Sequence, residues 1–358
     1  MRSSIQDLIP YDSGMTSEQL EQKVGKTIIR LSANESMWGP SPLVIDALQK
    51  GLTQLKFYPD GATQKLKKAL SKLWALPVEN FCPGNGADEV ILMLATAFLN
   101  PGDEVVIPTP TFSSYSSSVT IVGGKVTFVP QKELMFKLEE IAEYIHPNVK
   151  IVFLCNPNNP TGTFFSHTDL AQFLKKVPPE TLVVLDEAYC QYATEPSFPR
   201  SETLFKRYPN LIILRTFSKV YSLAALRVGY AVAATEVIRE LEKIRQPYNV
   251  NTLAQIAATT ALQDEEYIQN VIRETVQERE WLTKELRQRG LIVLPSQANF
   301  LLVKVNNAAV VCERLLQEGI LVRNTASFGI PEWLRITIGP HQYLEQFLKS
   351  LDVILPTV

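Results

Sequence analysis

Five short, largely apolar runs recur along the chain: Glu104-Val-Val-Ile107, Val126-Thr-Phe-Val129, Ile151-Val-Phe-Leu154, Thr181-Leu-Val-Val-Leu185 and Leu211-Ile-Ile-Leu214. A strand that is apolar at nearly every position is buried on both faces, and the helical or turn-rich stretches between these runs are long enough for parallel crossovers. The pattern predicts an α/β fold built on a mostly parallel sheet flanked by helices. Such a sheet gathers its functional groups at the carboxyl ends of its strands. At 358 residues the chain also has room for a second, smaller unit.

Three of those strand ends carry polar groups. The run ending at Leu154 leads into Asn156-Pro-Asn-Asn-Pro-Thr-Gly162, the next into Asp186-Glu-Ala-Tyr189, and the third into Thr216-Phe-Ser-Lys219, with Arg227 eight residues beyond. A lysine held at such a point and partly desolvated is a candidate nucleophile for an aldehyde cofactor. Thr216, Ser218 and Arg227 would supply a phosphate side. A carboxylate such as Asp186 could pair with a pyridine nitrogen, and the Tyr189 phenol could reach a ring oxygen from the same side. Taken singly, Asp186 also reads as a helix cap and Asn159-Pro-Thr-Gly162 as a turn. It is the three strand ends together, in sequence order, that point to one site.

Upstream, Gly84-Asn-Gly-Ala-Asp-Glu89 feeds an apolar-periodic helix read over Val90 to Leu99, without a convincing strand before it. A glycine turn at a helix start offers free N–H groups and the positive end of the helix dipole, which suits a phosphate; an ordinary turn remains an equal reading. Thr16-x-x-Gln19 resembles a capping box for a helix ending near Gly25, and helices are expected from Leu43 to Leu52 and from Gln64 to Trp74. Helical periodicity from Thr252 through Leu286, strands near Gly290 to Val293, Asn299 to Val303 and Ile320 to Val322, and a helix from Ala308 to Gln317 suggest a compact C-terminal α/β lobe.

The charge balance adds exclusions. A formal net charge of -2 gives no footprint for nucleic acid or an anionic membrane. Four cysteines without C-x-x-C spacing and three scattered histidines argue against a metal site or disulfide framework. With no signal-like or membrane-length segment, a cytoplasmic protein is expected.

These residues resemble the fold-type I pyridoxal-phosphate aminotransferases over nearly the whole chain, and within them the histidinol-phosphate aminotransferase branch. The resemblance implies an N-terminal arm and helix over 1–30 packing with the small domain, a large cofactor-binding domain over 31–245 and a small domain over 246–358. Lys219 would be the catalytic Schiff-base lysine, Asp186 the partner of the pyridine nitrogen, and Tyr189 and Asn159 the hydrogen-bonders of the ring oxygen. Phe112 would stack on the ring. Thr216, Ser218 and Arg227 would hold the phosphate together with Gly86, Ala87 and Asp88. Tyr58 matches the tyrosine that crosses a homodimer interface to the neighbouring site.

The branch is carried by Pro10-Tyr11, Asn34-Glu-Ser-Met-Trp-Gly-Pro-Ser-Pro42, Leu321-Val-Arg-Asn324 and Trp333-Leu-Arg-Ile-Thr-Ile-Gly339. It implies that Tyr11, Arg323 and Arg335 form the anion site for a phosphorylated amino alcohol, with 2-oxoglutarate closing the cycle. The chain departs from the branch pattern in two places: Ser36-Met37 stands where Asn-Pro is usual, and Phe112 where a tyrosine or tryptophan is usual. The same motifs leave open an aromatic-amino-acid aminotransferase, with Tyr11, Trp38 and Phe112 lining an apolar pocket, and a threonine-phosphate decarboxylase. A ligand-sensing regulator lacks a basic DNA-binding face here, and a dinucleotide enzyme lacks the third glycine of its fingerprint.

Overall fold

The computed structural model describes residues 3–6, 8, 10 and 14–357. Its strands are β1 (Ile29–Leu31), β2 (Phe81–Gly84), β3 (Glu104–Thr109), β4 (Lys125–Pro130), β5 (Val149–Cys155), β6 (Leu182–Asp186), β7 (Leu211–Thr216), β8 (Gly229–Val232), β9 (Ile292–Val293), β10 (Phe300–Lys304), β11 (Ile320–Asn324) and β12 (Trp333–Thr337). Seven of them form one sheet in the order β2-β8-β7-β6-β5-β3-β4. From β7 to β4 every pairing is parallel, while β8 runs antiparallel to both its neighbours.

Four of the five apolar runs fill both faces of this sheet, as their composition requires; the expectation fails for the fifth, in β4, which lies at the sheet edge and leaves Phe128 exposed. Val106, Val152, Leu154, Val183, Leu185, Leu211 and Ile213 point into one core, and Val105, Ile107, Ile151, Phe153, Val184, Ile212 and Leu214 into the other. Alternate residues of one strand thus serve opposite layers. Each fully buried side chain of this size contributes about 1.5–3 kcal/mol. The first core is covered by the helices Gln64–Trp74, His167–Lys176 and Thr252–Ala261, the second by Gly86–Phe98 and Thr235–Ile244. Ser166 and Asp169 close a capping box at the start of His167–Lys176, and Thr16 with Gln19 does the same for Ser17–Val24, which Gly25 ends in the left-handed region.

The smaller sheet has the order β1-β11-β12-β10-β9, with only β1 and β11 parallel. Its core includes Leu301, Val303, Leu334, Ile336 and, from the helix His341–Ile354, Leu344 and Phe347. The two lobes interleave along the chain. Ile29–Leu31 is hydrogen-bonded into the smaller sheet, whereas Ala254, Ala257 and Ala258 pack in the core of the larger one.

The sequence reading needs correcting at the glycine turn. A strand, β2, does precede it, and the helix begins at Gly86 rather than Val90. Pro83 and the four-residue length hid β2, which is held by antiparallel pairing with β8. The continuous helix expected from Thr252 to Leu286 is two, Thr252–Ala261 and Glu265–Gln288, the second capped by Asp264.

Candidate active site

The chain winds outward from β3 to β4 and then resumes on the far side of β3 with β5, β6 and β7. The loops after β3 and β5 therefore part, and a crevice opens above the sheet at that reversal. Phe112, Asn159, Asp186, Tyr189 and Lys219 all follow the carboxyl ends of these strands.

Lys219 sits in a loop that closes on itself. Phe217 N–H donates to Val228 O and Leu223 N–H to Phe217 O, each at 3.0 Å, while the fully buried Phe217 ring anchors the loop. The Lys219 amine donates to Ala33 O at 3.3 Å and lies 5.5 Å from the centre of the Tyr189 ring. Burial, and then the positive charge of Arg335, push its pKa from 10.5 down to about 8. At pH 7 about a tenth of such an amine is neutral.

Asp186 is buried at the end of β6, where Tyr115 Oη donates to its Oδ2 at 2.7 Å and Ala188 N–H to its Oδ1 at 3.1 Å. Burial raises the carboxyl from 3.8 to about 6 against the lowering effect of those bonds. Tyr189 Oη accepts from Asn34 Nδ2 at 3.2 Å, and burial pushes the phenol well above its ordinary value. Asn159 Oδ1 accepts from Arg335 Nη1, and Arg335 Nη2 donates to Ser32 O at 2.6 Å. Arg335 thereby joins the smaller lobe to the loop after β5.

The third group lies at the start of the helix Gly86–Phe98. Arg227 adopts a left-handed φ of 53° and directs its guanidinium to Asp88 Oδ2 at 3.1 Å and Ser218 Oγ at 3.4 Å. A methyl group on Gly86, which has φ +80°, would lie 2.6 Å from Arg227 Nη2. Gly229 is needed for the same approach, because a methyl there would lie 2.6 Å from Ala87 N. Asn85 offers no side-chain cap to this helix. Thr216 Oγ1 accepts from Ser218 N–H at 3.1 Å and so shapes the adjoining turn.

Other residues stand apart. Phe112 is half-buried and meets the Tyr115 ring edge-on at 5.6 Å. Tyr58 is 82% exposed and stacks on Tyr248, with ring centres 4.8 Å apart. Arg323 is the direct cross-strand partner of Arg335 in the β11–β12 pair, and its Nη2 donates to Ser327 Oγ at 3.3 Å. Tyr11 lies outside the described residues.

Sequence reasoning gave no role to Tyr115 or Asn34. Tyr115 is an aromatic in the serine-rich segment Ser113-Ser-Tyr-Ser-Ser-Ser118, a pattern that hinted at burial but not at a partner. Asn34 holds φ 56°, which asparagine tolerates better than most residues, and also accepts at its backbone oxygen from Asn299 Nδ2 at 3.1 Å.

A mostly parallel sheet with polar groups gathered above its strand ends and a smaller α/β lobe closing one side is the architecture of the fold-type I pyridoxal-phosphate-dependent transferases. Residues 26–351 match the family described as aminotransferase class I and II, and the chain belongs to that family. It is 42% identical to a histidinol-phosphate aminotransferase of Moorella thermoacetica, over 99% of this chain and 92% of that protein. It is 39% identical to histidinol-phosphate aminotransferase 2 of Carboxydothermus hydrogenoformans, over 99% of both chains. The crystal structure of histidinol-phosphate aminotransferase from Sinorhizobium meliloti in complex with pyridoxal-5'-phosphate superposes with a TM-score of 0.91 at 29% identity, covering 100% of this chain and 98% of that one.

Proposed function

We propose that this chain moves the amino group of histidinol phosphate to 2-oxoglutarate, using pyridoxal phosphate held at Lys219. The observation that carries the choice of donor is the pairing of Arg323 opposite Arg335 in the smaller sheet. Directly opposed side chains share one face, so the two guanidinium-bearing side chains rise from one patch of the smaller sheet. Two guanidiniums on one face suit a phosphorylated donor, and a planar guanidinium also grips the carboxylate of an oxo acid.

The donor set fits the cofactor. Asp186 is a buried carboxylate whose two hydrogen bonds come from a neutral phenol and a backbone N–H, so a cationic ring nitrogen would complete its pairing. Ser218, Arg227 and the first turn after Asn85 form a cradle of donors for a phosphate. When bound, pyridoxal phosphate supplies an electron sink conjugated with the substrate amine. Asp186 would keep the ring nitrogen protonated. Tyr189 and Asn159 would hydrogen-bond the ring oxygen, and Phe112 would pack on the ring. Lys219 Nζ would take the proton from the substrate α-carbon as general base. Arg335 holds the substrate anion and, through Asn159, ties that grip to the ring.

We further infer a homodimer acting in the cytoplasm. Leu52, Leu55, Phe57 and Tyr58 form an exposed apolar stretch on which a second copy could close, bringing Tyr58 to the neighbouring cradle. The active species should have twice the chain mass, and a fully active monomer would refute the shared site.

The function is tested by mixing cofactor-loaded protein with L-histidinol phosphate, or with L-phenylalanine, in single turnover without oxo acid while following cofactor absorbance. A much faster half-reaction with histidinol phosphate is expected. A faster reaction with phenylalanine would reassign the enzyme to aromatic donors, and carbon dioxide release from threonine phosphate would make it a decarboxylase.

A further inference from the structure

The segment between the helices Thr235–Ile244 and Thr252–Ala261 lies outside the crevice, yet two of its residues reach elements of the phosphate cradle and a third reaches Tyr58. Asn249 Nδ2 donates to Glu89 Oε2 at 2.6 Å, and the same oxygen accepts from Asn85 N–H at 2.6 Å. Asn251 Nδ2 donates to Leu226 O at 3.0 Å, immediately before Arg227. Tyr248, bent into the left-handed region at φ 58°, stacks on Tyr58. The segment is itself anchored from behind. Arg245 Nη1 donates to Asn249 Oδ1 at 2.9 Å, and its Nε to Glu242 Oε2 at 2.8 Å. Glu242 in turn pairs with the buried Lys67 at 2.6 Å.

The chemistry of the turn explains why such an anchor is needed. An anion held by a helix start requires the N–H groups of the first turn to stay uncovered. Glu89 is in that turn, and the positive end of the helix attracts its carboxylate toward those same groups. With Asn249 and Asn85 N–H holding it, Glu89 is kept from competing.

We propose that Asn249 is a positioning residue for the cofactor phosphate: it restrains Glu89 against Asn85 N–H, so that Gly86, Ala87 and Asp88 present free N–H groups, while Asn251 fixes the approach of Arg227. This rests on the reading of that turn as the phosphate site.

The test is calorimetric titration of apoprotein with pyridoxal phosphate and, separately, with pyridoxal, which lacks the phosphate. Wild-type protein should bind pyridoxal phosphate far more tightly. Asn249→Ala should weaken pyridoxal phosphate about tenfold, ~1.4 kcal/mol, and leave pyridoxal unchanged. Adding Glu89→Gln to Asn249→Ala should recover part of the loss, because a neutral side chain no longer competes as an anion; a merely structural role for Asn249 would not produce that rescue. Equal weakening of both ligands, or none, overturns the inference. Should Asn249→Ala lower the unfolding midpoint of the apoprotein, Asn251→Ala carries the same comparison through Leu226 and Arg227, with a loss confined to pyridoxal phosphate expected and an equal loss for both ligands overturning it. Failure of wild-type protein to distinguish the two ligands would instead remove the phosphate-site reading, and this inference with it.

Discussion

Tyr115 and Asp186, 71 residues apart in the chain, share a buried 2.7 Å hydrogen bond in which the phenol donates to the carboxylate. Burial alone would drive the Asp186 carboxyl higher than about 6, and the phenol is the largest influence holding it down. A hydrogen bond to a charged group is worth about 1.5–3 kcal/mol, or roughly one to two pKa units. Tyr115→Phe should therefore move the titration of Asp186 in the apoprotein upward by about one unit, read as a shift in the pH at which urea-unfolding stability falls. An unchanged pH dependence would separate Asp186 from that hydrogen bond.

The raised Asp186 pKa also has a stability consequence in the apoprotein. The folded-state value lies above the ordinary 3.8, so between about pH 4 and 6 the native state keeps a proton that the unfolded chain has released. Stability from this group is present below pH 4 and is lost as pH rises through 6, by ~3 kcal/mol. Asp186→Asn should remove that slope and stabilise the apoprotein at pH 7, measured by urea unfolding at pH 4.5 and 7.5. An identical pH dependence in the variant would contradict the assignment.

Lys219 should capture pyridoxal phosphate at a rate set by its neutral fraction. With a pKa near 8 the rate should climb about tenfold per pH unit up to pH 8 and then level. A lysine at its ordinary value would keep climbing toward pH 10. Arg335→Gln removes a charge that lowers this pKa and should move the break upward, while Lys219→Ala should abolish turnover. Stopped-flow absorbance across pH 6–10 reads the break.

Gly86→Ala should damage the cradle without reaching the core. The new methyl meets Arg227 Nη2 at 2.6 Å and occupies φ +80°, so about 1–2 kcal/mol of stability should be lost. Cofactor affinity should fall at least tenfold as Arg227 is displaced from Ser218 and Asp88. Equilibrium dialysis checks the affinity and thermal unfolding the stability; wild-type affinity in the variant would show that the close packing is dispensable.

The sequence alone determined the sheet and the composition of its strand ends, because both are local properties. Continuous apolar runs such as Ile151-Val-Phe-Leu154 have one stable setting, between two helical layers, and Asp186 and Lys219 follow such runs directly. The helices Gln64–Trp74 and Ala308–Gln317 were legible to their ends from their periodicity. Strands β2 and β8 were not, since four-residue segments containing glycine or proline carry little pattern of their own and exist through mutual pairing. The partners of the candidate site were hidden for a related reason. Tyr115 against Asp186, Asn34 against Tyr189, Arg323 opposite Arg335 and Asn249 against Glu89 all join distant segments. Which of them meet depends on strand order, register and the seating of one lobe on the other, and no local periodicity encodes those. Only the tertiary structure, by burying Asp186 and Lys219 among partners from distant segments, decided how readily each of them carries a charge.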